Sequence, residues 1–306
     1  MSISALHLGA TLYTPVTIPV LKAKTLISGD AYPELKSLVI CLEDSLTESQ
    51  VEPGLVNLKQ ILSTMREEAF KRNILLFIRP RNIEMAKQIL GWGFNECFDG
   101  FVAPKFHLGE SWLEIMPSGL YLMPTCEHKD YFDASYRAEL RDWLNPNKEK
   151  ILCLRIGGND LLSSIGLRRP RTLSIYDTPV GGLIRNMACE FGSHGYEMNS
   201  PVFEHFAEVD LLEQEVKLDL AHGLYTKTAI HPCQIDLIQS MYKVSPIDLE
   251  DAETILSKNS VDAGGVYNSG SGSMLEPATH YNWAKKIIER SKVYGVKKKL
   301  SSYSLG

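Results

Sequence analysis

Charged side chains recur at the ends of short apolar runs in this sequence. Residues 37–44 end in Glu43 and Asp44, and the next two runs carry Arg79 and Lys105 near their ends. The pattern continues further along the chain at Glu127, Asp160, Lys227 and His231. Because a buried charge is costly unless it is paired or bound to a metal, repetition at the same end of several runs predicts one converging, charged pocket.

Glu127 and Asp160 are the candidate metal ligands. They end successive runs, and Mg²⁺ typically takes one or two protein carboxylates while water or substrate oxygens fill its other positions. Salt bridges from these carboxylates to Arg79 and Lys105 would explain the pattern equally well. Zinc is less expected, because the eight histidines show no HxH or HExxH spacing. His128 should point away from Glu127 and pack, since neighbouring side chains on a strand alternate sides.

Arginine is the candidate residue for binding an anionic substrate. The planar guanidinium of Arg79, at the inner end of its run, suits bidentate binding of a carboxylate. An ion pair with Glu43 or Asp44 is the alternative, and the two roles are compatible. Beyond the sixth run, the segment GLRRPR places Arg168 and Arg169 where an anionic substrate could bind, although such clusters are usually solvated loops.

The elements that must position these residues are eight apolar runs separated by amphipathic stretches. The runs cover residues 7–15, 37–44, 74–81, 100–106, 120–127, 151–160, 196–203 and 224–232. Between them, residues 56–72 and 206–223 have the apolar spacing of helices. This alternation predicts an α/β protein, a (β/α)8 TIM barrel with its active site at the carboxyl ends of the strands. An open doubly wound sheet would look similar, but no GxGxxG or Walker A motif supports it.

The chain is expected to divide into a barrel, residues 1–245, and a C-terminal helical extension, residues 246–306. Helical signals cover 247–257 and 277–293, and a Gly/Ser-rich stretch lies between them at 264–273. Eight helices already cover the barrel strands, so the extension has no obvious core to join. We therefore expect it to pack on a neighbouring subunit of a homo-oligomer.

Composition limits the class of protein. The chain has 306 residues, of which 44% are hydrophobic and 23% charged, which is typical of a soluble globular protein. Its net charge of -5 argues against a general nucleic-acid-binding protein. No signal peptide or long apolar run indicates export or a membrane span, so a cytoplasmic location is expected. The six cysteines are scattered without a CxxC pair, which indicates reduced core residues.

Six segments together resemble the citrate lyase beta subunit and HpcH/HpaI aldolase superfamily. They are CLEDS (41–45), FIRPRN (77–82), GFVAPKF (100–106), LMPTCEH (122–128), GGNDLLSSIGL (157–167) and GLYTKTAIHPCQI (223–235). The resemblance implies that Glu127 and Asp160 bind Mg²⁺ or Mn²⁺ and that Arg79 binds substrate. The segments IGGNDLL, GLRRPR, YDTP, PVFE and MLEPATHYNWA also resemble a bacterial branch of TIM-barrel carbon–carbon bond lyases, found with stress-response or tellurite-resistance biosynthetic genes.

The resemblance further implies an aldolase-type or Claisen-type lyase. Its substrate would be a small 2-oxo or 3-hydroxy acid, with or without a phosphate group, cleaved through a metal-stabilised enolate. The general base is left open between Asp44, a hydroxide on the metal and an acid from the tail. Glu43 and Lys105 complete the expected catalytic set, and Gly158 joins the arginines as a substrate-binding residue.

Two alternatives remain beside the lyase. One is a thioester hydrolase that uses the same metal site, and the other is a catalytically weak scaffold subunit of a biosynthetic complex. The extra Pro-Arg in FIRPRN and the segment GLRRPRTLSIYDTP depart from the acyl-CoA-binding members, which makes a coenzyme A thioester less expected.

The tail carries a further candidate catalytic residue. In similar malyl-CoA-type lyases, an acidic residue of the tail closes the neighbouring subunit's site, and Glu276 falls at the similar position. His280 lies one helical turn beyond it. A structural role for Glu276, capping the last helix, is the alternative.

Overall fold

The structure, a computed structural model, describes residues 3–67, 70–258, 265–270 and 272–298. The backbone separates into two compact units, Met1–Ile238 and Gln239–Gly306. The boundary falls inside a helix, Ile235–Tyr242, because that helix leads from the first unit into the second.

Eight parallel strands form the first unit. They are β1 (Ala10–Pro15), β2 (Ser37–Cys41), β3 (Leu75–Arg79), β4 (Gly100–Ala103), β5 (Tyr121–Cys126), β6 (Leu154–Ile156), β7 (Met198–Asn199) and β8 (Lys227–Ala229). Each strand pairs with its neighbour in sequence, and β8 returns to pair with β1. The residue after β7, Ser200, forms a parallel β-bridge with Lys227, the first residue of β8, and this bridge connects the two ends of the sheet. The predicted (β/α)8 barrel is confirmed.

Helices follow the strands. In this unit they are α1 (Val20–Ile27), α2 (Val51–Glu67), α3 (Ile83–Leu90), α4 (Trp112–Ile115), α5 (Ala134–Leu144), α6 (Gly158–Ser164), α7 (Pro179–Gly192) and α8 (Val209–Ala221), and α9 (Ile235–Tyr242) spans the boundary. The predicted helix 56–72 begins earlier, at Val51, because Thr47 and Gln50 form a capping box at the turn before it. Its buried side chains recur every three or four residues, as one helical face requires.

Apolar side chains fill the barrel below the charged strand ends. Val39, Phe77, Val102 and Met123 come from four adjacent strands and form one buried cluster, which Leu8 of the N-terminal segment joins. Burying such side chains contributes roughly 1.5–3 kcal/mol each. The charged groups at the strand ends therefore lie next to a closely packed apolar core.

The second unit has a core of its own. It contains α10 (Pro246–Lys258), the short antiparallel strands β9 (Tyr267–Asn268) and β10 (Met274–Leu275), and α11 (Pro277–Tyr294). Its buried cluster comprises Val244, Ala252, Ile255, Leu275, Ala284 and Ile287. The expectation that the extension has no core to join was therefore wrong, because the apolar faces of α10 and α11 bury one another. Parts of the Gly/Ser-rich stretch, and the C-terminal segment 299–306, lie outside the described residues.

Two further expectations concern cysteines and membranes. Four cysteines are buried, but Cys189 and Cys233 are exposed, so these two are not core residues. Within the described ranges, every helix is too short or too polar to span a bilayer.

Candidate active site

A cavity of about 280 Å³ opens at the carboxyl ends of the barrel strands. Its charged and phenolic lining comprises Tyr13, Asp44, Arg79, Glu127, Arg155 and Asp160. These residues belong to β1, β3, β6 and α6 or lie within three residues after β2 and β5, so distant parts of the chain converge as the barrel fold requires. The expected charged pocket is present.

Glu127, directly after β5, is held from several directions. The backbone N–H of Lys105 donates to its Oε1 at 2.6 Å, and Arg79 Nη2 lies 3.2 Å from the same oxygen. Lys105 has a left-handed φ of 46°, a conformation that costs a non-glycine residue about 1–3 kcal/mol. A side chain at Gly157 would bring its Cβ to 2.3 Å from Glu127 Cβ. The backbone on both sides is thus adapted to the position of this carboxylate.

Burial and a neighbouring acid disfavour the ionisation of both candidate metal ligands. Burial raises the pKa of Glu127 to about 7, and the negative charge of Asp160 adds to this effect while Arg79 opposes it. Burial and the charge of Asp44 also raise the pKa of Asp160. A cation between such carboxylates would favour their charged forms, as an opposite charge does.

The donor groups around these carboxylates fit a hard divalent cation. Thr125 Oγ1 and Asn159 Oδ1 are buried, line the same cavity and have no hydrogen-bond partner among the residues that the structure describes. The amide nitrogen of Asn159 donates to Glu204 Oε2 at 2.8 Å, which fixes the side chain and leaves its oxygen available. Carboxylate, hydroxyl and amide oxygens are the ligands that Mg²⁺ prefers.

Arg79 is surrounded by acids. Its Nη2 lies 2.8 Å from Glu43 Oε2, 3.3 Å from Asp44 Oδ2 and 3.2 Å from Glu127 Oε1. Although burial opposes the charged form, the charges of Glu127 and Glu43 raise the pKa of Arg79 above its usual value. The ion pairs considered from the sequence are present, and Arg79 also lines the cavity.

Glu43, Asp44 and Lys105 form a connected group beside Arg79. Lys105 Nζ lies 2.9 Å from Glu43 Oε1 and 3.6 Å from Asp44 Oδ1. Burial and the hydrogen bond with Asp44 raise the pKa of Glu43. Burial opposes ionisation of Asp44 too, yet the hydrogen bond with Glu43 and the charge of Arg79 lower its pKa overall. The hydrogen bond to Glu43 raises the pKa of Lys105, so this amine stays cationic.

The structure does not bring Arg168 and Arg169 to the cavity, which corrects their prediction as substrate ligands. The side chain of Arg168 is 81% exposed and pairs with Glu204 at 3.3 Å. Arg169 is fully buried, with Nη1 2.5 Å from Glu215 and Nη2 donating to the Val202 carbonyl at 2.7 Å. Its loop turns inward because Glu215, buried on α8, needs positive partners.

Lys227 and His231 are also displaced from their expected places. Lys227 begins β8 rather than ending it, and its Nζ lies 3.0 Å from Glu215 and 2.9 Å from Asp219, all fully buried. His231 stacks on Phe206, with ring centroids 4.7 Å apart. Both residues are structural, and neither lines the cavity.

Gly158 and His128 lie near the predicted metal ligands. Gly158 lines the cavity at the first position of α6, where an added Cβ would lie 2.6 Å from Ile175 Cδ1. His128 bonds through Nε2 to the Phe106 carbonyl at 3.1 Å and stacks on His107 at 3.7 Å. One possible ligand atom from each of His107, His128 and Asp130 lies within 4.8 Å of the other two. Because the two histidine rings are stacked face to face, their lone pairs do not point to one shared metal ion.

Glu276 lies in the second unit. It is the N-cap residue of α11, yet its side chain makes no capping hydrogen bond. Its backbone N–H donates to His280 Nδ1 at 3.1 Å. The two residues predicted to act together are therefore in contact within this unit.

Arg155 and Tyr13 line the cavity although the sequence pattern does not indicate them. Arg155 lies in the middle of β6 and is 2% exposed. Its one signal in the sequence is a charge inside the apolar run ILCLRI rather than at its end. Burial raises the pKa of Tyr13, which keeps its hydroxyl protonated.

Sequence comparison assigns this barrel to a family. The family described as C–C bond lyase of the TIM-barrel fold matches residues 2–296. The chain belongs to this family of carbon–carbon bond lyases. No curated protein matches the lyase by sequence.

Solved structures share the fold of the lyase at low sequence identity. CitE from Mycobacterium tuberculosis, in complex with magnesium, acetoacetate and coenzyme A, is 17% identical with a TM-score of 0.65, and the match covers 93% of this chain and 98% of that one. The citrate lyase beta subunit from M. tuberculosis with oxaloacetate and magnesium is 15% identical, with a TM-score of 0.57 and coverage of 76% and 96%. RipC from Yersinia pestis is 18% identical, with a TM-score of 0.57 and coverage of 78% and 96%.

Proposed function

We propose that this lyase is Mg²⁺-dependent and breaks or forms a carbon–carbon bond beside the carbonyl of a small 2-oxo or 3-hydroxy acid. The observation that carries the proposal is the meeting of Glu127, Asp160 and Arg79 in one cavity at the strand ends. The magnesium in the complexes of CitE and the citrate lyase beta subunit, with acetoacetate or oxaloacetate, supports it. Mn²⁺ is the alternative ion, because it also takes oxygen ligands.

Charge stabilisation is the main requirement of this reaction. When the hydroxyl on the β carbon loses its proton and the bond between the α and β carbons breaks, an enolate and a second carbonyl compound are formed. A divalent cation held by Glu127 and Asp160 would supply electrostatic stabilisation of that negative charge. Arg79 holds the substrate carboxylate and adds a second positive group, while Gly158 lines the cavity two residues before Asp160 and can contact the substrate through its backbone.

Proton transfer is assigned to the acids beside Arg79. Asp44 lines the cavity, half of it is open to solvent, and its lowered pKa keeps it ionised, so it can accept the hydroxyl proton of the substrate. Glu43 is buried beside it, and burial and the hydrogen bond with Asp44 raise the pKa of Glu43. Lys105 remains cationic and balances both carboxylates.

Cavity size supports a small substrate. About 280 Å³ lies at the low end of ligand-binding pockets, which suits an acid of a few carbons. A coenzyme A thioester would have to leave most of its bulk outside this cavity. We therefore favour a free acid over a thioester.

We further propose that residues 246–306 pack on a neighbouring subunit, where Glu276 with His280 closes that subunit's cavity. Two observations support this. Met274 and Trp283 are 57% and 38% exposed, which leaves apolar surface on the second unit. The Glu276 side chain is also not engaged in capping α11.

The proposed reaction is tested by a cleavage assay. The protein is incubated with Mg²⁺ and a panel of 2-oxo-4-hydroxy and 3-hydroxy acids, and 2-oxo acid or aldehyde products are detected by mass spectrometry. We expect turnover that EDTA abolishes and Mg²⁺ restores. Asp160→Asn should lose this activity, whereas Glu114→Gln, an exposed carboxylate on α4, should retain it. Turnover that persists in EDTA would refute metal dependence.

A further inference from the structure

Two guanidinium groups line the cavity, and their surroundings differ. Arg79 is within 3.3 Å of three carboxylates. Arg155, by contrast, has no carboxylate within ion-pair distance among the described residues, although its side chain is almost completely buried. The positive charge of Arg79 is therefore largely neutralised by the protein, and that of Arg155 is not.

Neutral groups fix the orientation of Arg155. Its Nη2 donates to Thr228 Oγ1 at 2.6 Å, and that hydroxyl donates in turn to Asn199 Oδ1 at 3.0 Å. Nη1 lies 3.8 Å from Met123 Sδ, which is a weak acceptor. The guanidinium stands over the Tyr13 ring, 5.1 Å from its centroid. This arrangement holds the planar group rigidly and supplies no counter-charge.

A buried cation without a counter-charge is expensive. Removing an ion from water is unfavourable even after the protein relaxes. A cation–π contact and a hydrogen bond to a neutral hydroxyl offset only a part of this. Because Arg155 faces the cavity, a bound anion is the group that can supply the missing charge.

The charge balance of the whole cavity agrees with this. Arg79 and Arg155 line the cavity, and with one divalent cation they outweigh the three lining carboxylates Asp44, Glu127 and Asp160 by one positive charge. Glu43 and Lys105 lie beside the cavity and pair with each other. Such a cavity favours a substrate with two negative charges over one with a single charge.

We propose that Arg155 binds a second carboxylate of the substrate, so that the lyase acts on dicarboxylic 2-oxo or hydroxy acids. One carboxylate then lies with the carbonyl or hydroxyl at Glu127, Asp160 and Arg79, and the other lies against Arg155. Tyr13, which lines the cavity and carries Arg155 over its ring, has a protonated hydroxyl that can donate to the same second carboxylate. This inference rests on the proposed function, because it names the substrate class of the same site.

The test compares matched acids by calorimetry in Mg²⁺. Pyruvate is paired with oxaloacetate, and 2-oxobutyrate is paired with 2-oxoglutarate. In each pair the second acid differs from the first only by an added terminal carboxylate, and the two pairs differ in chain length. We expect the dicarboxylate to bind at least about tenfold more tightly in one or both pairs, which corresponds to about 1.4 kcal/mol. Arg155→Met should remove this preference and leave the affinity for the monocarboxylate within about twofold, because only the remote contact is lost.

Two further variants keep the test decisive. Arg185→Met, on an exposed position of α7, is the matched control and should retain the preference. If Arg155→Met does not fold, as judged by its thermal transition, Thr228→Val removes the hydroxyl that fixes Arg155 and should reduce the preference without removing the charge.

The possible outcomes separate this inference from the proposed function. A wild-type protein that binds both kinds of acid equally, in the presence of Mg²⁺, overturns the role of Arg155 and leaves the lyase proposal standing. A preference that survives in Arg155→Met also overturns it. Tighter binding of 3-phosphonopyruvate than of oxaloacetate would overturn the assignment of a second carboxylate, because Arg155 would then bind a phosphate-like group instead. If neither acid binds with Mg²⁺, both proposals fail.

Discussion

At the scale of single residues, Glu127 is the point at which the contacts of the site converge. Its carboxylate is buried, bonded by the Lys105 backbone and paired with Arg79, yet its pKa is raised to about 7 by burial and by Asp160. A carboxylate must be ionised to bind a metal ion. The pH of the solution therefore controls the proposed metal site directly.

Mg²⁺ affinity should fall as the pH decreases below about 7, by up to tenfold per pH unit, because the cation must displace the proton on Glu127. The stability of the metal-free protein depends on pH in the opposite direction. Because the pKa of Glu127 in the folded protein lies above the usual 4.5, the folded state binds a proton that the unfolded state has lost. The contribution of Glu127 to the free energy of unfolding therefore declines as the pH rises from 4.5 to 7. Calorimetric titrations between pH 5.5 and 8 measure the affinity, and a flat profile would contradict the assignment of Glu127.

Arg79→Lys keeps the charge but loses the planar fork that suits a carboxylate. We expect kcat/KM to fall at least about tenfold, which is roughly 1.4 kcal/mol of transition-state stabilisation. The same substitution at Arg66, an arginine of α2 outside the cavity, is the matched control. Wild-type kinetics in Arg79→Lys would show that Arg79 is only an ion-pair partner of the surrounding acids.

The sequence predicts residues at strand ends better than residues inside strands or loops. Glu127, Asp160 and Asp44 follow directly from the pattern of charges after apolar runs, because parallel strands in a barrel end at one face. Arg155 does not, since a charge inside a run gives no indication of its depth in the barrel. Arg169 was assigned to the wrong partner because a loop sequence does not reveal which way its side chains turn.

At the scale of elements, buried charges connect α8 to β8 and to the loop after α6. Lys227 and Arg169 together neutralise Glu215, and Lys227 also pairs with Asp219. Burial would raise the pKa of Glu215, but the charges of Lys227 and Arg169 lower it overall. The cluster thus attaches the start of the last barrel strand to α8 by paired charges.

Lys227→Met should destabilise the protein by about 3–5 kcal/mol, because it leaves two buried carboxylates with too little positive charge. Urea denaturation monitored by circular dichroism gives the change in the free energy of unfolding. Lys217→Met, which removes an exposed ion pair with Glu213 on α8, should change the free energy of unfolding by about 0.5 kcal/mol or less. Equal effects of the two substitutions would mean that the buried cluster contributes no more than a surface pair.

The eight strands and the main helices were predictable because buried strands and amphipathic helices have distinct apolar patterns. Their bounds were less so. The run 196–203 contains a strand of two residues, Met198–Asn199, and helix α2 starts at a capping box that the apolar spacing does not show. Short strands and caps are decided by individual hydrogen bonds rather than by periodicity.

At the scale of the whole molecule, the two helices of the second unit were predicted, but the core that they share was not. That core forms between α10, β10 and α11, and a helical pattern does not show which apolar faces pack together. A unit with its own core can still contribute a residue to another subunit. The role proposed for Glu276 therefore concerns the assembly and is tested there.

Mixing two inactive variants tests the proposed shared site. Glu127→Gln removes the metal ligand, and Glu276→Ala removes the acid from the tail. If Glu276 closes the cavity of a neighbouring subunit, a mixed oligomer contains some complete sites, and we expect up to about a quarter of wild-type activity in a mixed dimer at equal amounts. Full activity of Glu276→Ala alone, or a monomer in sedimentation, would refute the proposal.

The most direct test of the central claim is calorimetric titration of Mg²⁺ into the wild-type protein and into Glu127→Gln. The variant keeps nearly the same shape and removes one ligand oxygen's charge, and it should fold with little loss of stability because Glu127 ionises only with difficulty in the metal-free protein. We predict one Mg²⁺ site per chain in the wild type and no measurable binding in the variant. Mg²⁺ binding that is unchanged in Glu127→Gln would contradict the site at the carboxyl ends of β5 and β6.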